Sequence, residues 1–492
     1  MEEKKSLKIH ESDNVGVALS ELSAGDECLG VTLRERIQRG HKFALSEIGK
    51  GESVIKYGQP IGRATTDIGA GEWVHTHDME TALTGRREYK YEPEIRAQEP
   101  CEPLGFYGYR RADGRVGIRN EIWIIPLVGC VNDVCGQIEE RVRPVAERLG
   151  LDGVHHFAHP YGCSQLGDDH ENTRRILADL AGHPNAGGVL CVSLGCENNT
   201  PGDFRKAVGD APGDRIRYMV CQDVTDEVEE GVRLCTELCE LASGDRRTEC
   251  SAGDLVIGLK CGGSDGLSGI TANPVVGRLS DRITAMGGTT ILTEVPEMFG
   301  AEESLMNRAG SRELFEKAAD MVNGFKEYFI SHGQPVGENP SPGNREGGIT
   351  TLEDKSLGCV QKGGTSPVRG VLGYGDTVGA KGLNMLCAPG NDLVSSTALA
   401  AAGAQMVLFT TGRGTPFSSP APTVKISTNT ALYNKKRNWI DFNAGVVAEG
   451  TCIDDAADDL LEYVLRVAGG ERTCSERNGQ HGIAIWKNGV TL

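Results

Sequence analysis

From about residue 109 onward, short apolar runs alternate with amphipathic stretches, and that alternation constrains the chain to βαβ units built on largely parallel sheets. EIWIIPLVG, GVHHFAH, GGVLCVSL and RIRYMVCQ read as strands, with CGQIEERVRPVAERL and ENTRRILADLAG as helices between them. A second series begins near Leu255 with LVIGLKCGGSD, continues through TTILTEV and AQMVLFTTGRG, and closes on the helix-like DDAADDLLEYVLRVAGG. SHGQPVGENPSPGNREGG interrupts it and reads as a loop of the kind that forms lids and binding sites. Ahead of residue 95 the pattern changes to short β-like runs separated by glycine turns, which describes a small all-β module. YEPEIRAQEPCEPLG, polar and proline-containing, suits an extended hinge. The expected organisation is multidomain α/β: a β module over 1–95, a linker over 96–108, and α/β domains over 109–250 and 251–492.

A chain of 492 residues exceeds one ordinary core, in keeping with about three domains at roughly 150 residues each. The net charge of −18 argues against nonspecific nucleic-acid binding, which needs basic patches. An anionic small molecule would need a locally basic pocket within this acidic body. No run of ~18 apolar residues exists to span a membrane, and the charged start MEEKKSLKIHESDN lacks a secretory apolar segment, so a cytoplasmic protein is expected. The sixteen cysteines are then expected to be free thiols, some available to metals.

Four of those cysteines are paired with glycine at the ends of apolar runs: HPYGCSQLG at Cys163, VSLGCENN at Cys196, LKCGGSDG at Cys261 and LGCVQKGG at Cys359. Strand ends followed by glycine turns are where open α/β sheets gather ligand-binding loops, so these segments are expected to converge on one pocket. Their thiolates either line it or bind iron, as a single ion or a cluster, although no CxxC spacing supports a cluster. VGCVND also ends an apolar run. KCGGSDG places Lys260, Cys261, Ser264 and Asp265 in a turn whose exposed N–H groups suit an anion or a polyol. Arg413, between glycines after AQMVLF, is placed to grip a carboxylate, and Asn344 and Arg345 lie on the long loop. In the β module, GEWVHTHDME sets His75 and His77 two apart on a strand-like run, so both imidazoles are expected to face one ion. Imidazoles with oxygen ligands favour Fe²⁺, Mn²⁺ or Zn²⁺ over Mg²⁺ or Ca²⁺. His41 in RGHKFALSEI suits proton transfer, with Lys42 beside it for a carboxylate. Neither a P-loop nor a well-placed GxGxxG is present.

Together GHKFAL, WVHTHD, GYRRADGRVGIRN, HPYGCSQ, LGCEN, KCGGSDGLSGITANP, SPGNREGG and TTGRGTPFSSPAPTVKI resemble, from end to end, the altronate/galactarate dehydratase family, which includes sulfolactate sulfo-lyase. The resemblance implies a SAF-type β domain followed by two α/β domains, and loss of water from a sugar acid to give a 2-keto-3-deoxy acid. It also implies a divalent metal, Fe²⁺ favoured and Mn²⁺ the alternative, with an iron–sulfur cluster less favoured. WVHTHD resembles the altronate branch, whose product is 2-dehydro-3-deoxy-D-gluconate. Galactarate, sulfolactate and a noncatalytic sugar-acid binder remain the alternatives. On this reading His75 and His77 hold the metal, while His41 moves a proton with Asp265 as a second acid/base. Lys42 and Arg413 take the substrate's carboxylate or hydroxyls, and Lys260, Ser264, Asn344, Cys163, Cys196 and Cys261 shape its pocket. The partner implied is a small sugar acid, and a homo-oligomer is compatible.

Overall fold

A computed structural model describes residues 5–209 and 214–492. Residues 1–4 of the charged opening segment lie outside the described residues. The N-terminal module is all β. Ser6–Leu7, Val15–Ala18, Lys42–Ala44 and Trp73–Val74 form an antiparallel sheet in that order, and Ser53–Lys56, Gln59–Ala64 and Met79–Glu80 form a second. Leu22, Leu33, Ile37 and Phe43 fill one side of the module. Val15, Ala44, Val54 and Ile61 instead join a core shared with Met298, Phe299 and Leu352 of the C-terminal domain. The module is therefore packed onto that domain through apolar contacts.

The middle domain carries a parallel sheet in the order Gly153–His156, Glu121–Pro126, Ala186–Ser193, Ile216–Val220. Asn132–Arg148 and Glu227–Ala242 cover one face, and Gly167–Ala181 covers the other. Burial on both faces explains why its central strands read as unbroken apolar runs. The C-terminal domain has seven parallel strands: Val368–Leu372, Gly382–Leu386, Thr289–Leu292, Val256–Cys261, Met406–Thr411, Thr423–Ser427 and Phe442–Asn443. Strand order reverses between Val256–Cys261 and Met406–Thr411, which opens a crevice at their C-terminal ends. An antiparallel ribbon of Gly105–Arg110 with Thr248–Ser251 joins the two α/β domains. No helix among the described residues is long and apolar enough to cross a membrane.

The linker expected over 96–108 is the end of a longer strap, without helix or strand over 81–104, that stops where the strand Gly105–Arg110 begins, and the strap is tied down. Tyr89 Oη donates to Glu302 Oε1 at 2.6 Å, Tyr91 Oη to the Ala309 carbonyl at 3.0 Å, and Gln98 Nε2 to the Asp281 carbonyl at 2.6 Å. Docking of the module is completed by one buried carboxylate. Asp354, on Leu352–Cys359, accepts from Lys42 Nζ at 2.9 Å and from Lys56 Nζ at 3.0 Å, and all three side chains are buried. Burial alone would raise the Asp354 pKa, but the two ammoniums hold it far below the usual range. One carboxylate cannot neutralise both lysines fully, and burial pushes Lys42 down to about 8 against the pull of Asp354.

Removing one partner of such a buried set costs ~3–5 kcal/mol, because the charges left behind stay out of water. Asp354→Asn should accordingly lower stability by that order in urea unfolding and expose 81–104 to proteolysis. The carboxyl is depressed in the folded state, so its contribution is present above its ordinary pKa of 3.8 and is lost as pH falls toward the lower folded value. The variant should lack that part of the acid sensitivity, as a pH series of unfolding curves will show.

Candidate active site

The switch-point crevice holds a dense set of buried charges. Lys260, near the end of Val256–Cys261, pairs with Glu294 and with Asp392 Oδ1 at 2.9 Å. Beyond it lies an open cleft of about 590 Å³ whose walls include Cys261, Glu297, Asn344, Arg345, Lys355 and Asp392. Lys355 Nζ donates to Glu297 Oε1 at 2.8 Å, Asn339 Oδ1 at 3.1 Å and Asn344 Oδ1 at 3.2 Å. Burial would raise the Glu297 pKa, but Lys355 and Lys260 outweigh it and bring the carboxyl to about 2. Asn344 reaches across to donate from Nδ2 to the Ser264 carbonyl at 2.9 Å, joining the long loop to the KCGGSDG turn. An acidic chain thus carries, in one cleft, the lysine and arginine that an anionic ligand requires.

Two groups of donors among the described residues could hold a metal ion: Cys261, Glu294, Glu297 and Cys359, all buried, and Glu139, His155 and His481 in the middle domain. The first has the sulfur and oxygen atoms that suit Fe²⁺ or Zn²⁺. Its centre is nevertheless taken. Lys362 Nζ lies 2.9 Å from Cys261 Sγ, 2.8 Å from Cys359 Sγ and 3.1 Å from Glu294 Oε2. A hydrogen-bonded, buried ammonium already supplies the positive charge that this cage calls for, so as arranged the residues fit Lys362 rather than a divalent ion.

Strand geometry does not govern His75 and His77, which corrects the expectation for that pair. The strand ends at Val74 because Asp78 Oδ1 accepts from the His75 N–H at 2.8 Å and turns the chain. His75 is buried with Nε2 at 2.9 Å from the Arg345 carbonyl, whereas His77 is 54% exposed in its side chain. No third His, Cys, Asp or Glu atom among the described residues completes a metal group with them. His41 stacks on His75 with ring centroids 5.1 Å apart and accepts from Trp73 Nε1 at 3.1 Å. That leaves His41 Nε2–H to donate to the Glu346 carbonyl, 3.1 Å away. Burial pushes both imidazoles down, His75 to about 4, so both are neutral near pH 7. Lys42 donates to the Gly348 carbonyl at 2.8 Å as well as to Asp354. The segment read as wholly loop contains a short helix, Pro342–Glu346, started by Ser341 and Pro342; His41 and Lys42 brace it and the turn after it from behind and do not line the cleft on its other side.

The remaining candidates divide between the cleft and its supports. Asp265 accepts from Thr428 Oγ1 at 2.8 Å, Ser268 Oγ at 3.1 Å and the Leu267 N–H at 3.2 Å, bracing its own turn. Arg413 is 48% exposed in its side chain and pairs with Glu346 Oε2 at 3.0 Å on the outside of the long loop. Lys260, Cys261, Ser264 and Asn344 are in or beside the cleft. Cys163 and Cys196 are exposed on the middle domain and do not line it. The four cysteine loops form two sets, one per sheet, with Cys261 and Cys359 Sγ 3.6 Å apart. Glu294, Glu297 and Lys355 escaped the sequence reading. The available signal was TEVPEM, two carboxylates directly after the apolar run TTIL.

Three family models account for nearly the whole chain: "Altronate/galactarate dehydratase SAF domain" over residues 4–82, "D-galactarate dehydratase/Altronate hydrolase, second domain" over 108–243, and "D-galactarate/Altronate dehydratase, C-terminal" over 252–491. The chain belongs to the altronate/galactarate dehydratase family. Among family members, the altronate dehydratase of Escherichia coli (strain K12) is 52% identical over 494 residues, 99% of each chain. That of Bacillus subtilis (strain 168) is 51% identical over 497 residues, 99% of this chain and 100% of its own. The galactarate dehydratase (L-threo-forming) of Escherichia coli is 32% identical, covering 96% of this chain and 95% of its own. Within this family site, the ammonium-filled cage makes a clear statement about metal. Replacing Cys261 and Cys359 together by serine should leave the metal content of the folded protein unchanged by metal analysis. Loss of bound metal in this variant would place an ion in the cage and put Lys362 outside it.

Proposed function

We propose that this chain is a hydro-lyase that removes water from D-altronate to give 2-dehydro-3-deoxy-D-gluconate. The observation that carries the reading is the Glu297–Lys355 pair at the floor of an open cleft, in a chain matched along its length by altronate dehydratases. Substrate carboxylate enters between Lys355 and Arg345, and Asn339 and Asn344 take the hydroxyls. Lys355 then shares its ammonium with the incoming anion. Glu297, which is acidic only while Lys355 and Lys260 compensate it, gains proton affinity at that moment. It accepts the C2 proton, and the C2–H electron pair forms the C2–C3 double bond as the C3–O bond breaks. The Lys355 ammonium protonates the departing hydroxyl, water leaves, and the enol tautomerises to the ketone. The steps are assigned to side chains of the cleft; neither the Cys261 cage nor the His75 turn beside it accommodates the implied iron as arranged. His41, His75 and Lys42 act on the reaction through the loop that carries Asn344 and Arg345.

Substrate choice follows from the acidic side of the same cleft. Glu338 and Asp392 line it together with Glu297. A second terminal carboxylate, as in galactarate, would meet like charge there, whereas the hydroxymethyl end of altronate would find acceptors. Side-by-side kcat/KM values should favour altronate, and a clear preference for galactarate would overturn the choice while keeping the lyase class. Glu297→Gln should lower kcat by ~10²-fold or more with the fold intact, the usual worth of a positioned acid or base. His41→Asn should act mainly on KM, because it loosens the loop and removes no reacting group. A loss confined to kcat would return His41 to proton transfer.

A further inference from the structure

A second cluster of donors lies where the C-terminal tail meets the middle domain, and the substrate cleft does not use it. Gly153–His156 is the edge strand of its sheet, and successive side chains along it point to opposite faces. His156 turns toward Asn132–Arg148, where its Nδ1 lies 2.5 Å from Glu139 Oε2. His155 turns the other way, and its ring centroid stands 4.0 Å from that of His481. Glu139, His155 and His481 nevertheless come together, each offering one donor atom within 4.8 Å of the other two. Glu139 and His155 belong to the middle domain, and His481 to the tail that follows the short helix Cys474–Arg477. None of the three lines the cleft.

The surroundings of this cluster call for a cation. His155 Nδ1 is buried without a hydrogen-bond partner among the described residues, and so is Oε1 of Gln480, the residue beside His481. Buried polar atoms are almost always satisfied, and with Nε2–H directed at Glu121 the orphaned Nδ1 carries the lone pair that a metal takes. Burial pushes His481 down to about 4, which leaves its ring neutral near pH 7. Burial would raise the Glu139 pKa, but hydrogen bonds from His156 and from Arg143 Nη2 at 2.6 Å outweigh it and bring the carboxyl to about 2. Burial would likewise lower His155, but Glu121, whose Oε1 is 3.6 Å from Nε2, outweighs it, so positive charge is favoured at that ring. Lys362 supplies such charge in the Cys261 cage. Here the competitor of a metal is a proton on His155, which an ion displaces as it binds.

We propose that Glu139, His155 and His481 bind a divalent transition metal of the Zn²⁺ type, which fastens the C-terminal tail to the middle domain. Two imidazoles with one carboxylate suit Zn²⁺ and are a poor set for Mg²⁺ or Ca²⁺. At about 2.0–2.1 Å per bond a tetrahedral ion sets its donors ~3.3 Å apart, and atoms already within 4.8 Å reach that spacing by small ring rotations. Water completes the shell, since both imidazoles also wall a cavity of about 60 Å³ with Glu121, Asp152 and Gln480. His156 and Arg143 hold the Glu139 carboxylate in place, as the outer partners of a metal ligand do. Beyond His481 the tail laces the two α/β domains together. The Trp486 N–H donates to Tyr374 Oη at 2.9 Å on the C-terminal domain. The Asn488 and Gly489 N–H groups donate to Asp169 at 2.9 and 2.7 Å, and the Leu492 N–H to the Ser164 carbonyl at 3.0 Å, on the middle domain. An ion on His481 secures the beginning of that lacing.

The test uses the full chain, stripped with a chelator, dialysed and titrated with Zn²⁺, or with Co²⁺ as a coloured substitute. Metal analysis should find one more equivalent of Zn²⁺ on the wild type than on His481→Ala or Glu139→Gln, each of which should bind that equivalent ~10²-fold more weakly or worse. Co²⁺ should give a visible absorption that is reduced in both variants. Zn²⁺ should also slow limited proteolysis of residues 478–492 in the wild type and not in His481→Ala. The Cys261→Ser, Cys359→Ser chain should bind this equivalent as the wild type does, which keeps the two donor groups apart. Equal zinc content in the wild type and both variants would overturn the proposal, as would zinc protection of the tail that persists in His481→Ala. Should His481→Ala fail to fold, Glu139→Gln, which keeps the size of the side chain and an acceptor for His156, decides the matter by itself. The readouts do not depend on turnover and none of these residues lines the cleft, so either result leaves the dehydratase reading as it stands.

Discussion

The buried carboxylate of Asp354 is the contact on which the rest of the site depends. It draws two lysines from one domain into the interior of another, a placement that costs several kcal/mol of desolvation per ion unless opposite charge meets them. Once Lys42 is seated, its remaining hydrogen bond goes to the Gly348 carbonyl. His41 and His75, fixed by the same strands, take the next carbonyls of that loop at Glu346 and Arg345. The β module therefore holds three successive points along the segment whose opposite side offers Asn344 and Arg345 to the cleft. A ligand-binding loop needs this kind of backing, because small displacements of a positioning group cost large factors in rate.

What was legible in the sequence was mostly what depends on neighbours in sequence. The α/β alternation, the β module and the glycine-ended strands follow from local periodicity, and the structure has them. His75 and His77 show where local reasoning stops. Residues at i and i+2 share a face only while the strand lasts, and a hydrogen bond from the His75 N–H to the Asp78 carboxylate ends it one residue too early. Glu297 and Lys355 show the opposite limit. They are 58 residues apart, one in a short 3-10 turn and one in a helix, and nothing in either segment alone announces that they meet. Lys42 was read as a grip for the substrate's carboxylate, yet a lysine with no exposure must be satisfied inside the protein, and its partner lies 312 residues away.

The convergence of four cysteine loops was the boldest expectation, and its failure in detail is instructive. The glycine-cysteine signal marks the C-terminal edge of a strand, but it does not say which sheet the strand belongs to. Two parallel sheets each gather their own loops: Cys163 and Cys196 on one, Cys261 on the other, with Cys359 brought to it by the helix Leu352–Cys359. The two sets also differ in chemical state. Cys261 and Cys359 are buried around an ammonium, so their lone pairs are committed to Lys362. Cys163 and Cys196 are exposed, with Ser164 Oγ 3.9 Å from one sulfur and Gln222 Nε2 3.8 Å from the other.

These differences assign separate tasks to the two α/β domains. Charge in the C-terminal crevice is closely balanced by lysines against carboxylates, an arrangement that stays buried at low cost only while the pairs remain intact. On the proposed reading an anionic substrate entering it competes with Glu297 for Lys355, which redistributes proton affinity at the moment of binding. The middle domain contributes no comparable set of charges to the cleft. Its loops are instead tied to one another at the sheet edge by backbone contacts so close that Gly129 and Gly162 leave no room for a Cβ. A paired set of buried ions is held by charge and fails when one partner is lost, whereas loops locked together through backbone contacts are held by shape and fail when a side chain intrudes.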